Sequence, residues 1–216
     1  MSVKLIHSSQ STSQSETLQD MVAYCARVSN PANQNNQEST PKLLQYLIKH
    51  QHWSPFEMVS ICLEINTTRD IARQILRHRS FSFQEFSQRY AQVNESFMTR
   101  EARLQDHKNR QNSIFIEDQQ LQTEWEQRQQ ALGEQAKETY EWALENGIAK
   151  EQARAVLPEG MTPSTLYMNG TLRSWIHYIQ VRTEKGTQKE HRAVALAAAI
   201  AIMPLFPLIE EFVSKE

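Results

Sequence analysis

The fold of this chain is decided by residues 59–79, which read VSICLEINTTRDIARQILRHR. Apolar residues alternate with polar or small ones over residues 59–68, and this period of two is typical of a half-buried strand. From Arg69 onward the apolar positions fall at helical spacing, so we predict a helix over residues 69–79. A strand that runs directly into a helix with a basic C-terminal end is therefore the central unit of the predicted fold.

The rest of the chain is mainly helical by the same reasoning. The further elements that we predict are a first strand over residues 3–7, a helix that begins at Thr40, a return to strand over residues 87–93, a long amphipathic helix over about residues 116–146, short helices near residues 150–156 and 172–181, and an alanine-rich helix from residue 193 that bends or ends at its prolines. A few strands among many helices indicate an α/β or α+β fold, with a mixed central sheet flanked by helices. The length of 216 residues predicts a single domain over residues 1–216.

Charge and composition narrow the class of protein. The formal net charge is −2, which argues against a general nucleic-acid binder, because such proteins usually carry a basic surplus. The apolar stretch over residues 193–209 contains two prolines and is short for a bilayer span, so we expect no membrane segment. The two cysteines, Cys25 and Cys62, are far apart in the sequence, and a reducing cytoplasm is the simplest expectation. None of the seven histidines has a metal-ligand spacing, so we expect no metal site.

The basic end of the predicted helix has two interpretations. Gln74, Arg77 and His78 share one face of a helix that continues to residue 79, and cations at a helix C-terminus can simply complement the helix dipole. Residues 80–90, however, interleave hydroxyl groups and aromatic rings with one more arginine. Guanidinium groups match phosphate, and rings can cover a heterocycle, so the combination favours a nucleotide site.

Several segments resemble the flavin-dependent thymidylate synthases. The signature is Arg77-His78-Arg79 followed after seven residues by Ser87. Four further segments occur in the order typical of that family, namely CARVS at residues 25–29, HWSPFE at 52–57, EQAR and VLP at 151–158, and the pattern RS…H…R at 173–182. The resemblance therefore extends over most of the chain.

This resemblance implies a reaction and its cosubstrates. The family methylates dUMP to dTMP reductively, with methylenetetrahydrofolate as carbon donor and with hydride transfer from NADPH mediated by FAD. No enzyme cysteine attacks the pyrimidine. The family is homotetrameric, which implies that copies of this chain associate and share their sites. The alternative that the residues leave open is a nucleotide-binding module without catalysis, which would be colourless where a flavoprotein is yellow.

The resemblance also implies roles for individual residues. Arg182 is the expected catalytic residue, because a permanent cation against uracil stabilises negative charge on the base. The residues implied for dUMP are Gln74, Arg77, Glu85, Ser87, Gln88, Arg89, Arg154 and Arg182. The residues implied for FAD are His52, Ser54, Arg77, His78, Arg79, Glu85, Thr171, Arg173 and His177.

Helix geometry adds a hypothesis about assembly. Arg173 and His177 lie on one flank of the predicted helix, whereas Arg182, nine residues after Arg173, projects to nearly the opposite side at about 100° per residue. One unbroken helix cannot aim all three side chains at one pocket. We therefore expect each site to be assembled from several subunits, with these residues serving different pockets.

Overall fold

The computed structural model of the chain describes residues 1–12, 17–94 and 96–215. In chain order its strands and α-helices are β1 (Ser2–Ser8), α1 (Leu18–Ala26), α2 (Thr40–Lys49), β2 (Ser60–Thr68), α3 (Arg69–Ile75), β3 (Phe81–Glu85), β4 (Arg103–Gln105), β5 (Ser113–Phe115), α4 (Gln119–Glu145), α5 (Lys150–Ala153), β6 (Pro163–Thr171), α6 (Leu172–Arg182) and α7 (Lys189–Ile202). Short 3₁₀ turns cover Pro31–Asn33, Ser54–Glu57, Arg154–Val156 and Pro207–Phe212.

The main sheet has four strands in the order β1-β2-β6-β3, and every pairing between them is antiparallel. The prediction of a mixed sheet was therefore wrong, and the fold is of the α+β kind. Alternation along β2 predicts a strand with one buried face, but it carries no information about the direction of the neighbours. The antiparallel arrangement agrees with β6, where buried Leu166 and Met168 flank Tyr167, which is exposed on the other face.

The core lies between this sheet and helices α1, α2, α3, α6 and α7. Trp175 of α6 is fully buried, and its indole N–H donates to the carbonyl of Ile61 in β2 over 2.9 Å. Leu172 N–H bonds the Val59 carbonyl, so the start of α6 is fastened beside the start of β2. These contacts fix α6, which carries several of the candidate site residues, rigidly against the sheet.

Two predictions around the basic cluster need correction. Helix α3 ends at Ile75, so Arg77, His78 and Arg79 lie in the turn beyond it and do not share a helical face with Gln74. The strand that follows is β3, over Phe81–Glu85, and residues 87–90 form a turn where we predicted a strand. Because β3 must begin beside Gly170 of β6, the chain has to leave the helix early and reverse within a few residues.

Helix α4 also differs from its prediction. Its buried positions are Gln129, Gly133, Ala136, Tyr140 and Ala143, a stripe repeating every three or four residues. Leu121, Trp125 and Leu132, which contribute to the helical spacing of apolar residues in this segment, are exposed. The small hairpin of β4 and β5, which precedes α4, gave too short a pattern to be predicted.

Helix α7 is buried along Val194, Ala195, Ala198, Ala199 and Ile202, and it ends just before Pro204 as predicted. Among the described residues, no helix combines the length and the apolar character that crossing a bilayer requires.

Candidate active site

A cleft of about 640 Å³ opens beside the start of α6. Arg173, His177 and Ser174 of this helix line it, and Glu57 faces them from the 3₁₀ turn after α2. The Arg173 guanidinium is ion-paired with the Glu57 carboxylate. Thr171 caps the helix by accepting from the Ser174 N–H at 3.2 Å, which fixes the direction in which Arg173 leaves the backbone.

The lining of the cleft suits a flat heterocycle with an anionic tail. Trp53 and Phe212 contribute aromatic surface, while Lys49, Arg173 and His177 contribute hydrogen-bond donors. The volume falls in the range typical of cofactor pockets. Of the residues implied for FAD, Arg173 and His177 line the cleft, whereas His52 and Ser54 are exposed residues next to Gln51 and Trp53, which line it. Thr171 contributes to the cleft indirectly, because it caps the start of α6, the helix that carries Arg173 and His177.

A second group of polar residues lies at the opposite end of α6. The Nε atom of Arg182 donates to Nε2 of His78 over 2.9 Å. Burial, followed by the nearby charges of Arg182 and His177, lowers the pKa of His78 to about 4. A guanidinium can only donate, so neutral His78 accepts at Nε2 and carries its proton on Nδ1. This bond leaves the terminal nitrogens of Arg182 available for a ligand.

Gln74 lies close to this group and is hydrogen-bonded to Gln188 and His191. Its amide nitrogen donates to Oε1 of Gln188 over 2.7 Å, and its oxygen lies 3.2 Å from Nδ1 of His191. The ring of His191 is centred 6.3 Å from that of His78 and 5.8 Å from that of Tyr178. Burial, followed by the charge of Arg182, lowers the pKa of His191 to about 3, so the ring is neutral. Gln74, His78 and Arg182 thus belong to one polar cluster, in which the ring contact between His191 and His78 joins two hydrogen-bonded groups.

Arg77 and Arg79, which flank His78, are exposed. Within the described part of the chain, their side chains make no ion pair or hydrogen bond. Two cations held at the surface of the turn without a carboxylate partner are suited to an anionic ligand.

The remaining residues implied for dUMP lie beyond the other end of β3. Glu85 accepts from the Ser164 hydroxyl at 2.8 Å and is 3.5 Å from Arg69, so its carboxylate is already partnered. Arg89 pairs with Glu151 of α5 at 3.2 Å. Two further residues belong to the same region, Ser87 in the exposed turn and Arg154, half-buried directly after α5. Gln88 is 4% exposed, and its amide nitrogen has no described partner.

These two sets of dUMP residues are separated by strand β3. His78 precedes the strand and Ser87 follows it, and a strand of five residues extends over roughly 15 Å. Strand β3 is also an edge of the sheet, because it pairs with β6 alone. Within one chain the structure therefore brings Gln74, His78 and Arg182 together and leaves Ser87, Arg89 and Arg154 apart from them.

Sequence reasoning missed several members of both groups. His191, Gln188 and Glu190 complete the polar cluster, and Gln51, Trp53 and Glu57 complete the cleft. A signal for His191 was present, because it is one polar residue on the apolar stripe of α7. Trp53 and Glu57 belong to the family segment at residues 52–57, but their place in a cleft depends on the packing of the Ser54–Glu57 turn against α6.

Comparison with known proteins identifies the family. The family model described as thymidylate synthase complementing protein matches residues 11–208. A probable flavin-dependent thymidylate synthase of Paramecium bursaria Chlorella virus 1 is 53% identical over 193 residues, covering 89% of each chain. The chain belongs to the flavin-dependent thymidylate synthase family. The family's synthase from Synechocystis is 55% identical over 189 residues, covering 88% of this chain and 86% of its own.

A solved structure extends the family likeness to the fold. The UMP/dUMP methylase PolB from Streptomyces cacaoi, bound with 5-Br dUMP, superposes with a TM-score of 0.83 at 30% identity. The match covers 98% of this chain and 93% of the methylase. The antiparallel sheet with its flanking helices is therefore shared with that methylase.

Proposed function

We propose that this member of the flavin-dependent thymidylate synthase family methylates dUMP to dTMP, using methylenetetrahydrofolate, NADPH and FAD. The observation that carries the proposal is the partly buried hydrogen bond between Arg182 and His78, with Gln74 close by through His191. A purely structural arginine is usually neutralised by a carboxylate, whereas Arg182 is held by a neutral imidazole and keeps its full charge. Such a cation is suited to a substrate on which negative charge develops.

The proposed role of Arg182 follows from its hydrogen bonds. Its Nε atom is fixed by His78, and its terminal nitrogens donate to the uracil, so the negative charge that builds up on the base is stabilised. His78 holds the guanidinium in place and borders the flavin, while Gln74 and Arg77 contact the nucleotide. The Cys62 thiol is unsuited to nucleophilic attack, since it is buried in β2 and burial raises its pKa.

The proposed flavin site is the cleft at the start of α6, continued by the turn of Arg77 and Arg79. Arg173 and His177 donate hydrogen bonds there, and Trp53 provides an aromatic wall. When bound, the flavin supplies the hydride that the transferred carbon needs. The ion pair of Arg173 with Glu57 holds the guanidinium at the cleft, which both residues line.

We further propose a homotetramer in which subunits share each site. The separation of Arg182 from Ser87 and Arg89 by β3 supports this, because one chain presents each half of the dUMP set at a different end of an edge strand. The exposed apolar stripe of α4 also supports it. This stripe comprises Leu121, Trp125, Leu132 and Trp142, which are between 37% and 59% exposed. Large apolar patches of this kind commonly become subunit interfaces.

Two broader expectations belong to the same proposal. The whole chain, residues 1–216, acts as one domain, which is supported by a continuous core that includes both Leu18 and Ile209. The protein works in a reducing cytoplasm, which is supported by the free state of Cys25 and Cys62.

The direct test is an assay of dTMP formation with purified protein, dUMP, methylenetetrahydrofolate, FAD and NADPH. We expect yellow protein and dTMP that appears only when dUMP, methylenetetrahydrofolate, NADPH and either bound or added FAD are present together. Colourless protein that binds dUMP but cannot be reconstituted with FAD and forms no dTMP would contradict the proposal and favour a binding module. Dithionite can reduce the flavin in place of NADPH. Formation of dTMP with dithionite but not with NADPH would mean that the protein methylates dUMP but does not use NADPH.

A further inference from the structure

A chain of hydrogen bonds runs from the surface hairpin β4–β5 to Gln74. Arg103 of β4 is ion-paired with Oε1 of Glu190, and both side chains are nearly buried. The other carboxylate oxygen of Glu190 accepts from the Gln188 amide nitrogen at 2.9 Å. Gln188 Oε1 in turn accepts from the Gln74 amide nitrogen at 2.7 Å. Glu190 and Gln188 have no role in the function proposed above.

The direction of every bond in this chain is determined by its first member. A carboxylate paired with an arginine can only accept, so Gln188 must turn its NH₂ group toward Glu190 and its oxygen toward Gln74. Gln74 must then turn its NH₂ group toward Gln188 and its oxygen toward His191. An amide can otherwise exchange its two ends by a half-turn, and here that reversal would set two NH₂ groups or two oxygens against each other.

The chain also determines the tautomer of His191. Since Gln74 presents an oxygen, Nδ1 of His191 donates and Nε2 keeps its lone pair. Buried Nε2 has no partner among the described residues, which agrees with a neutral ring whose proton is committed to the glutamine. After these contacts, Gln74 retains one amide hydrogen and one oxygen lone pair, in a fixed order, for a ligand.

We propose that Glu190 and Gln188 are positioning residues that hold the Gln74 amide in one orientation, so that the site accepts a uracil edge and discriminates against cytosine. Uracil offers a ring N–H between two carbonyls, whereas cytosine offers an amino group and an unprotonated ring nitrogen. The order of donor and acceptor on a fixed amide therefore distinguishes the two bases. This inference rests on the proposed function, because it requires that Gln74 contacts the pyrimidine of dUMP.

The test compares dissociation constants for dUMP and dCMP in the flavin-loaded full-length protein. Glu190→Gln removes the acceptor-only group at nearly constant shape, and Gln188→Leu breaks the chain but leaves the pair of Arg103 and Glu190 intact. The matched control is Glu101→Gln, because Glu101 lies 3.6 Å from the same arginine and, among the described residues, is not hydrogen-bonded to Gln188. Calorimetry gives both constants for each variant, and steady-state kinetics separates KM from kcat.

We expect Glu190→Gln and Gln188→Leu to raise the dissociation constant for dUMP by about 2- to 12-fold, which corresponds to the loss of one hydrogen bond. The dissociation constant for dCMP should rise much less. The dissociation constant for dCMP divided by that for dUMP therefore decreases. In steady-state kinetics, kcat at saturating dUMP changes less than KM. If Glu190→Gln does not fold, the same decrease of this ratio in Gln188→Leu is sufficient to support the inference. The inference would be overturned if the ratio in Gln188→Leu equals that of the wild type, or if Glu101→Gln lowers the ratio as much as Gln188→Leu does.

The failure of the inference can be distinguished from failure of the proposed function. Wild-type protein that makes dTMP while the variants keep the wild-type ratio contradicts only the role of Glu190 and Gln188. Wild-type protein that neither binds dUMP nor makes dTMP contradicts both.

Discussion

The Nε atom of Arg182 donates to Nε2 of His78 over 2.9 Å, and this bond joins the end of α6 to the turn before β3. It relates two residues that are 104 positions apart and that the sequence assigned to different parts of one site. The imidazole is neutral because burial and the adjacent cation lower its pKa to about 4. The geometry thus supports a role for His78, the central residue of the Arg77-His78-Arg79 segment, in orienting Arg182, the arginine that we propose as catalytic.

The first prediction concerns Arg182→Lys. Lysine retains the positive charge but lacks the planar fork that can bond His78 and a base together. We expect kcat to fall by about 10²- to 10³-fold while the thermal unfolding temperature changes little. Rates of dTMP formation and circular dichroism melts measure the two effects. The control is Arg110→Lys in the exposed connection between β4 and β5, and activity of Arg182→Lys near that of the control would contradict the assignment.

The second prediction concerns acid stability. The pKa values of His78 and His191 are about 4 and about 3 in the folded chain, against about 6.5 when unfolded. Between these limits the unfolded chain binds protons that the folded chain does not. The stabilisation is therefore complete above pH 6.5, and the free energy of unfolding decreases as the pH falls toward 4.

Denaturant unfolding across this pH range tests the relation with His191→Gln. In the variant, the slope of the free energy of unfolding against pH should be smaller by up to about 1.4 kcal/mol per pH unit, because one buried histidine no longer takes up a proton on unfolding. His107→Gln is the control, since that side chain is exposed in the folded chain as well as in the unfolded one. An identical slope in the wild type and His191→Gln would show that His191 is not held neutral.

The third prediction concerns Gly170→Ala. A Cβ atom at Gly170 would lie 2.4 Å from the ring of Phe81, which packs edge-on against Trp175 at 4.8 Å. We expect the ring to be displaced and the free energy of unfolding to fall by about 1–3 kcal/mol. Activity should fall as well, because Phe81 is the first residue of β3 and its ring is centred 6.5 Å from that of His78.

Gly160→Ala is the matched control for this effect, because a Cβ atom there meets nothing within 4 Å. Chemical denaturation of the two variants gives the comparison. Equal stability of Gly170→Ala and Gly160→Ala would mean that Phe81 does not pack against Gly170 in solution.

The fourth prediction concerns Gln51, which is the only described residue other than glycine with a positive φ, at 57°. It ends α2 in a left-handed conformation, with the His52 N–H bonded to the Leu47 carbonyl at 2.8 Å. We expect Gln51→Gly to raise the free energy of unfolding by about 0.5–1 kcal/mol and Gln51→Val to lower it. Thermal melts that rank the two variants in the opposite order would contradict this conformation.

Much of the fold could be predicted because its signals are local. The alternation in β2, the apolar stripe of α6 and the prolines after α7 each depend on residues close together in sequence. The direction of the strands, the early end of α3 and the exposed stripe of α4 could not be predicted in this way. Each depends on a distant partner, such as Gly170 beside Phe81, or on a surface that the single chain leaves uncovered.

The candidate site also has a part that could be predicted from local sequence and a part that depends on distant partners. Arg182, His78 and Gln74 could be named from the family signature, but the polar chain through Gln188 and Glu190 required the packing of α7 against α3. The geometric argument that Arg173 and Arg182 serve different pockets remains a prediction. It is consistent with an α6 that continues unbroken to Arg182, so that Arg173 lines the cleft while Arg182 bonds His78.

The most direct test of the central claim, a dUMP site shared between subunits, is complementation between two inactive variants. Arg182→Ala removes the residue at one end of β3 and Arg89→Ala the residue beyond the other end. Each variant alone should be nearly inactive. When they are co-expressed and purified together, random mixing should restore dTMP formation to about a quarter of the wild-type rate, because one site in four then holds both arginines. A mixed protein that is as inactive as its two parents would contradict a shared site.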